Sequence, residues 1–319
     1  MRIAIIGAGM AGLSCADRLI ADGHDVTLFD KGRGPGGRMS TRRIDTPVGP
    51  VFFDHGAQYL TARDPGFCAQ VAAWEEAGTV KPWPAAELLP KQVWVGAPTM
   101  NSVIKAMAVG KTVNWAERVI RLEKPANGWR IVTADGFAEG FDCVVLALPA
   151  EQAIPFLALN DFEMLRQAML ARSLPCWTGM FVFDNCPGDQ NIVQDEGIIT
   201  WAVRNNARPG RSGLNGWLVQ ADSRWSQANL EAPAADVAVA LLGALSDVLG
   251  ATLPEPIAAT AHRWRYALSA GLGVGAMWNA DLGLGVCGDW LLGPRIECAW
   301  MSGQDLAARI VAAPNKIAA

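Results

Sequence analysis

Histidine, tyrosine and lysine are scarce in this 319-residue chain, and each shortage excludes something. Only three histidines occur, His24, His55 and His262, without metal-ligand spacing, so no metal site is expected. The seven cysteines (Cys15, Cys68, Cys143, Cys176, Cys186, Cys287 and Cys298) are odd in number and never form C-x-x-C. That usage argues against a disulfide framework and fits a reducing compartment. No basic block exists and the formal net charge is -4, which argues against a nucleic-acid partner. A membrane span needs roughly 20 nearly uninterrupted apolar residues. The longest apolar stretch, 237–253, is broken by Ser246 and Asp247 and has helical spacing, so it reads as a core helix. No signal peptide is visible, because Met1-Arg2 leads directly into the apolar run 3–6; a cytoplasmic location is expected. Repeats and low-complexity tracts are absent, and no protein partner is inferable.

What is present describes a globular protein: 51% hydrophobic and 18% charged residues, in a length suited to about two domains. Residues 2–6 form a β-rich run ending at Gly7. Residues 11–21 place Leu13, Ala16, Leu19 and Ile20 at helical spacing, and 26–29 form a second strand ending at Asp30. This is a βαβ unit, followed by a glycine-rich loop at 31–38. Residues 83–95 read as an irregular connection before a helix at 100–109. Residues 112–132 carry two β-rich runs split by Asn127-Gly128, a hairpin signal. Residues 142–148 and 282–287 suit buried parallel strands. Between 151 and 276 the pattern changes: helices are expected near 161–171 and 236–249, with β-like segments at 178–183 and 216–220. A final helix at 296–311 would bury Ile296, Ala299, Trp300, Gly303, Leu306, Ala307 and Ile310, and the end after Pro314 is expected to fray.

The sharpest motif is Gly7-Ala8-Gly9-Met10-Ala11-Gly12, placed after a strand and opening a helix. Gly7 permits the tight turn, Gly9 lets a pyrophosphate approach the backbone, and Gly12 lets helix and strand pack closely. The helix N-terminus offers free N–H groups and the positive dipole end to phosphates. Asp30, at the end of the second strand, is placed to accept hydrogen bonds from ribose hydroxyls and to repel a 2′-phosphate. This fingerprint does not separate FAD from NAD. Gly36-Gly37-Arg38-Met39, and the strand, Gly288-Asp289 and helix spanning 282–303, do.

With those segments the chain resembles the flavin amine oxidase superfamily, whose members carry the N-terminal fingerprint, a G-G-R motif and a C-terminal G-D motif. It is most similar to the renalase-like family. Gly56-Ala57-Gln58-Tyr59-Leu60-Thr61 looks like that family's G-A-Q-Y-x-T motif. The segments 262–266, 287–290 and 295–303 look like its bacterial members.

The resemblance implies an α/β fold: a Rossmann-like FAD domain from 1–70, 96–152 and 278–319, and a substrate domain of mixed sheet and helices from 71–95 and 153–277. It implies non-covalent FAD, since relatives that tether flavin use a cysteine before the C-terminal motif and none occurs at 187–286. The cofactor contacts implied are Gly7, Gly9, Met10, Ala11, Gly12, Asp30, Lys31, Gly36, Gly37, Arg38, Met39, Gly56, Ala57, Val119, Gly288, Asp289, Ile296, Glu297 and Ala299. Asp289 would meet the ribityl or pyrophosphate region, and Val119 the adenine. Gln58, Tyr59, His262, Trp264 and Trp290 would line the substrate pocket, with Arg63 and Arg265 as phosphate contacts.

Amine oxidases of this superfamily commonly use a lysine from the substrate half, yet no lysine lies between 125 and 315. The tyrosines are only Tyr59 and Tyr266. Renalase-like enzymes oxidise 2- and 6-dihydro isomers of NAD(P)H to NAD(P)⁺ with O₂ as acceptor, and a dihydropyridine gives up hydride without a catalytic base. Dihydronicotinamide oxidation is therefore the first expectation. Amine oxidation, or a non-catalytic binding module of the same fold like the Rab GDP-dissociation inhibitors, are the alternatives.

Overall fold

A computed structural model describes residues 1–47, 49–84, 92–186, 189–211 and 215–313. The stretch after Pro314 and part of the 83–95 connection lie outside the described residues. Four consecutive buried residues make β1 (Arg2–Ile6) a strand covered on both faces. Gly7 turns the chain at φ 108° toward α1 (Met10–Ala21), and β2 (Asp25–Phe29) returns parallel to β1. A hairpin follows, β3 (Arg42–Thr46) and β4 (Gly49–Phe53). Next comes α2 (Pro65–Glu76), whose N-cap Asp64 accepts from the Phe67 amide and whose first turn holds proline.

β5 (Val80–Pro82) and β6 (Trp94–Gly96) pair, and α3 (Asn101–Ala108) leads to β7 (Thr112–Asn114). β8 (Val119–Glu123), β9 (Trp129–Thr133) and β10 (Phe137–Phe141) form an antiparallel sheet, with β11 (Cys143–Leu146) after it. The 112–132 expectation is thus partly corrected. Asn127-Gly128 does turn a hairpin, but its strands are β8 and β9, whereas 112–114 joins β2 in the main sheet. Three residues were too few for periodicity to separate them from the run that follows.

Helices α4 (Ala150–Leu157) and α5 (Phe162–Leu170) lead into β12 (Ser173–Phe183), β13 (Ile192–Glu196), β14 (Ile199–Arg204) and β15 (Asn215–Ala221). α6 (Ser223–Ala228), α7 (Ala234–Leu249) and β16 (Ala258–Ser269) follow. The chain closes with β17 (Met277–Asn279), β18 (Leu284–Val286) and α8 (Ile296–Ala312). Helix α7 is the apolar stretch of the sequence, stopped by left-handed Gly250 at φ 60°. Among the described residues no helix is long and apolar enough to cross a membrane.

Two sheets organise these elements. The six-stranded sheet has the order β17–β18–β11–β1–β2–β7, parallel except for β17. The five-stranded antiparallel sheet has the order β13–β14–β15–β12–β16. One face of the second sheet packs Phe181, Phe183 and Trp217 against Val237 and Leu241 of α7. Its other face sends Met180, Val182, Trp201, Val203 and Leu218 into the same core as β1 and α1. The site lies where that face meets the first unit.

Helix α8 buries Ala299, Gly303, Leu306, Ala307 and Ile310 as expected, but also Glu297, Cys298 and Ser302; Ile296 and Trp300 are only half-buried. At Gly303 a Cβ would stand 2.3 Å from the Ala11 carbonyl oxygen and 2.9 Å from the Cys15 nitrogen, so α8 touches the backbone of α1 there. Gly303→Ala must push two helices apart, and overpacking of this kind costs ~1–3 kcal/mol. Urea denaturation should show a clearly lowered midpoint. An unchanged midpoint would mean the two helices separate freely.

Candidate functional site

The first glycine motif is built as close approach demands. A Cβ on Gly7 would meet the Ala147 carbonyl oxygen at 2.4 Å, and one on Gly12 the Gly7 oxygen at 2.0 Å. A Cβ on Gly9 would meet nothing within 4 Å. Helix α1 starts at Gly9 without a side-chain cap and without an acidic residue in its first turn. Among the described residues no protein acceptor takes the N–H groups of Met10, Ala11 and Gly12 at the positive helix end, an arrangement that fits a pyrophosphate. Met10 and Ala11 bury their side chains and offer only backbone there. Gly36 and Met39 are buried, while Gly37, at φ 52°, is exposed and would carry a Cβ 3.6 Å from the Gly9 Cα.

Asp30 is busier than the sequence suggests. Its Oδ2 accepts from the Ala8 amide and its Oδ1 from the Gly32 amide, each at 2.7 Å. The carboxylate thus ties both glycine loops together, leaving its second lone pairs for a ribose. Its backbone oxygen accepts from Glu117, and Gly32 from Ala116, which brings half-buried Val119 beside it. Exposed Lys31 donates instead to Gln152, at 2.9 Å.

The C-terminal motif is joined to the G-G-R segment directly. Arg38 grips Asp289 in a two-pronged ion pair, Nη1 to Oδ2 at 2.7 Å and Nη2 to Oδ1 at 2.6 Å. Both side chains are expected cofactor contacts, and each is also the other's partner. The Gly288 amide donates to the Ser302 hydroxyl, which fixes the motif to α8. Glu297 accepts from the amides of Arg63 and Asp64 at 2.6 and 2.7 Å, so it holds the chain entering α2. Arg63 enters this arrangement through its backbone. Ile296 is half-buried and Ala299 buried beside it.

On the substrate side, strand register builds a row. Trp201 opposes Gln220, Gln220 opposes Thr178, and Thr178 opposes His262, so four side chains from β14, β15, β12 and β16 share one face. This row covers the 54–60 segment. Gln220 donates to the Gly56 carbonyl at 2.8 Å, the Trp201 ring lies 5.6 Å from that of Tyr59, and the His262 ring lies 4.7 Å from that of His55. A Cβ on Gly56 would stand 2.0 Å from the Arg38 oxygen, which also accepts from Ala57, so the segment lies flat on the G-G-R turn. Trp264 completes a triangle of rings, 5.0 Å from His55 and 4.7 Å from His262.

Several expected pocket residues are committed elsewhere. Gln58 is buried; its amide donates to the carbonyls of Asp54 and Gly56, and its oxygen accepts from Arg208. Trp290 is 1% exposed, sits in the core and donates to the Leu148 carbonyl, so it packs under Gly288 rather than lining a pocket. The Trp264 N–H is taken by the His55 carbonyl at 2.7 Å, leaving only its ring as a wall. Arg265 pairs with Glu231 on the surface. Tyr59 packs against Trp201 of the row, and His262 is itself part of the row.

Sequence reasoning missed the support beneath. Asp54, 1% exposed, accepts from Thr41, Met100, Arg208 and Arg211. Two buried guanidinium groups thus face one carboxylate, and burial draws Arg208 down to about 10. Trp201, Gln220 and Thr178 were missed because a cross-strand row is invisible until register is known. His55 was within reach, being adjacent to the G-A-Q-Y segment. Burial first, then His262 and Arg42, push His55 down to about 3; burial and then Arg42 push His262 to about 4. Burial raises Tyr59. An open cleft of about 570 Å³ beside the β8–β9 turn, lined by Lys124, Asn127 and Asp281, contains none of these residues. Among the described residues no group of three His, Cys, Asp or Glu side chains could hold a metal.

Comparison with known proteins now bears on this geometry. Residues 5–71 match the NAD(P)-binding Rossmann-like domain, and residues 86–311 match flavin containing amine oxidoreductase. The chain belongs to the flavin-containing amine oxidoreductase family. It is similar to renalase of Mus musculus, 28% identical over 293 residues, covering 83% of this chain and 84% of that protein. It is also similar to a 4,4'-diapophytoene desaturase of Staphylococcus haemolyticus, 41% identical over 78 residues, which is 24% of this chain and 14% of that one. A solved structure of wild-type putrescine oxidase bound to putrescine superposes with TM-score 0.68 at 14% identity, covering 98% of this chain and all of that chain. The family member described here is renalase-like along most of its length and is an FAD-dependent oxidoreductase acting on a small molecule.

Two outcomes are expected. Asp30→Ala removes two backbone hydrogen bonds as well as the candidate ribose acceptor; charged hydrogen bonds are worth ~1.5–3 kcal/mol, so FAD affinity should fall about ten- to a hundredfold or more. Titration of apoprotein with FAD measures it, and unchanged affinity would leave Asp30 a turn residue only. The histidines give a pH dependence. Their folded values lie below the ordinary 6.5, so the unfolded chain binds more protons in between. Stability is full above about 6.5 and declines as pH falls toward 4. His262→Gln should flatten that decline in urea midpoints measured at pH 7 and pH 5.

Proposed function

We propose that this family member oxidises the 2- and 6-dihydro isomers of NAD(P)H to NAD(P)⁺. Bound FAD would supply the chemistry, as acceptor of the substrate's hydride and as the reductant of O₂ to hydrogen peroxide. The cofactor residues are those of the glycine motif, Asp30, residues 36–39, 56–57, Val119, 288–289 and the start of α8. The protein's task is positioning, and the substrate is held beside the 54–60 segment, where the sheet row meets it. On this reading residues 1–70, 96–152 and 278–319 serve the cofactor, and 71–95 and 153–277 the substrate. FAD is held without a covalent link on this reading, since no cysteine occurs at 187–286, the stretch before the C-terminal motif.

The observation that carries the reading is how few bases the row and the substrate half contain. The row's one titratable base, His262, is depressed to about 4, and no lysine occurs between 125 and 315. A dihydropyridine loses hydride without prior deprotonation, so a site with no effective base still suffices. A substrate ammonium would instead meet the excess positive charge of Arg208 and Arg211 behind Gln58 and Tyr59. That disfavours amine oxidation despite the fold shared with putrescine oxidase.

The test is anaerobic stopped flow with purified 2-, 4- and 6-dihydro isomers beside a panel of primary amines. Flavin bleaching should be fast with the 2- and 6-dihydro isomers and slower by about 10²-fold or more with ordinary NADH, since a carbon misplaced by ~1 Å costs that much. Fast bleaching by an amine, with none by the 2- and 6-dihydro isomers, would put amine oxidation ahead. A purified protein without flavin colour would favour the binding module.

A further inference from the structure

We propose that Arg42 is a positioning residue that holds His262 in a single neutral tautomer, with the proton on Nε2, so that the ring presents a donor to a carbonyl oxygen of the substrate. The first part stands on geometry alone. The carbonyl clause rests on the dihydronicotinamide reading, because a nicotinamide carboxamide supplies such an oxygen.

Arg42 lies on β3, the strand that leads through β4 to Asp54 and His55, and His262 lies on β16 in the other sheet. Arg42 Nη1 stands 3.3 Å from His262 Nδ1. A guanidinium has five donors and no acceptor, so the imidazole nitrogen facing it must present a lone pair. The neutral ring then carries its hydrogen on Nε2. Placing the proton on Nδ1 would set N–H against N–H, and a doubly protonated ring would set cation against cation.

The remaining surroundings do not compete for that choice. Among the described residues, the other titratable group packed on the ring is His55, edge-on at 81°. His55 Nδ1 is buried without a hydrogen-bond partner, and burial is the first cause that keeps that ring neutral. Thr178 on β12 and Trp264 on β16 are uncharged, and the Trp264 N–H is already taken. Burial and Arg42 act in the same direction on His262, both favouring the neutral ring.

The experiment is a long-range ¹H–¹⁵N correlation spectrum of holoenzyme labelled at histidine, with no substrate present. With three histidines in the chain, single His→Gln variants assign every ring. Wild type should show a protonated Nε2 and an unprotonated Nδ1 at His262. Arg42→Lys, whose ammonium also only donates, should keep that pattern. Arg42→Met should mix the tautomers and raise the His262 midpoint from about 4 toward 6.5 without reaching it, because burial remains the larger cause. A wild-type His262 protonated at Nδ1, or an Arg42→Met spectrum and titration identical to wild type, would overturn the assignment. In stopped flow, Arg42→Met should raise the concentration of dihydro donor needed for half-maximal bleaching about five- to tenfold, as loss of one aligned hydrogen bond does, with the limiting rate little changed. If no dihydro isomer bleaches the flavin, the carbonyl clause falls with the proposed function, while the spectrum still decides the role of Arg42.

Discussion

Everything in this fold that concerns the cofactor depends on two distant pieces of chain meeting, and the Arg38–Asp289 pair is where they lock. The residues are separated by 251 positions, yet their side chains meet in two parallel short contacts. A bidentate guanidinium–carboxylate pair fixes direction as well as distance, unlike a lysine contact. Asp289 is largely buried and Arg38 partly so, so removal of either leaves a charge without its partner in a poorly hydrated place. The close backbone contact at Gly303 and the Ser302 hydroxyl under Gly288 complete the joint. These fasten α8 against α1, so that the glycine turn at 7–12 and the G-D turn lie on one side of the parallel sheet.

The second sheet depends on a different device. Asp54 collects four donors at the floor of the 54–60 segment, two of them guanidinium groups from the 208–211 turn. A lone buried carboxylate would be expensive, and so would either buried arginine. Together they hold the segment that carries Gly56 and Tyr59 while its upper surface meets the row of Trp201, Gln220, Thr178 and His262. The balance is not neutral, for two guanidiniums face one carboxylate. Arg208 spreads part of its charge over the Trp83 ring, 5.6 Å away.

How much of this the sequence discloses follows from how local each feature is. The βαβ unit, both glycine motifs, the strand at 143–146 and the long helices 234–249 and 296–312 were legible because each is written in contiguous residues. Their partners were not. Nothing near Asp30 shows that its carboxylate is taken by two amides, and nothing near Arg38 names Asp289. Gln58 and Trp290 share a feature that the sequence hides: polar and aromatic side chains beside a motif look available until their hydrogen bonds are traced, and both brace backbone. The long strand β16 escaped because most of its residues are half-covered on both faces, so neither alternation nor a continuous buried run marks it. Its motif residues, His262 and Trp264, were visible only through the family resemblance.

The hydrogen-bond bookkeeping of the site constrains its chemistry further. Trp264 has given its N–H to His55, Gln58 has used both ends of its amide, and Gln220 has turned its N–H toward Gly56. The donors nearest the 54–60 segment are therefore largely committed to protein acceptors, while the histidines are held uncharged. Such a surface moves protons poorly and holds shape well. A substrate that must be deprotonated before oxidation would find little help here, whereas one that needs only to be laid at the right height against the cofactor would find rigid aromatic walls and a few oriented polar atoms. Positioning alone can supply several powers of ten in rate when the reacting atoms are held near contact. Under the proposed function reactivity resides in the cofactor and selectivity in the sheet row, while the Asp54, Arg208 and Arg211 charges stay buried beside Gln58, where they set the position of the 54–60 segment.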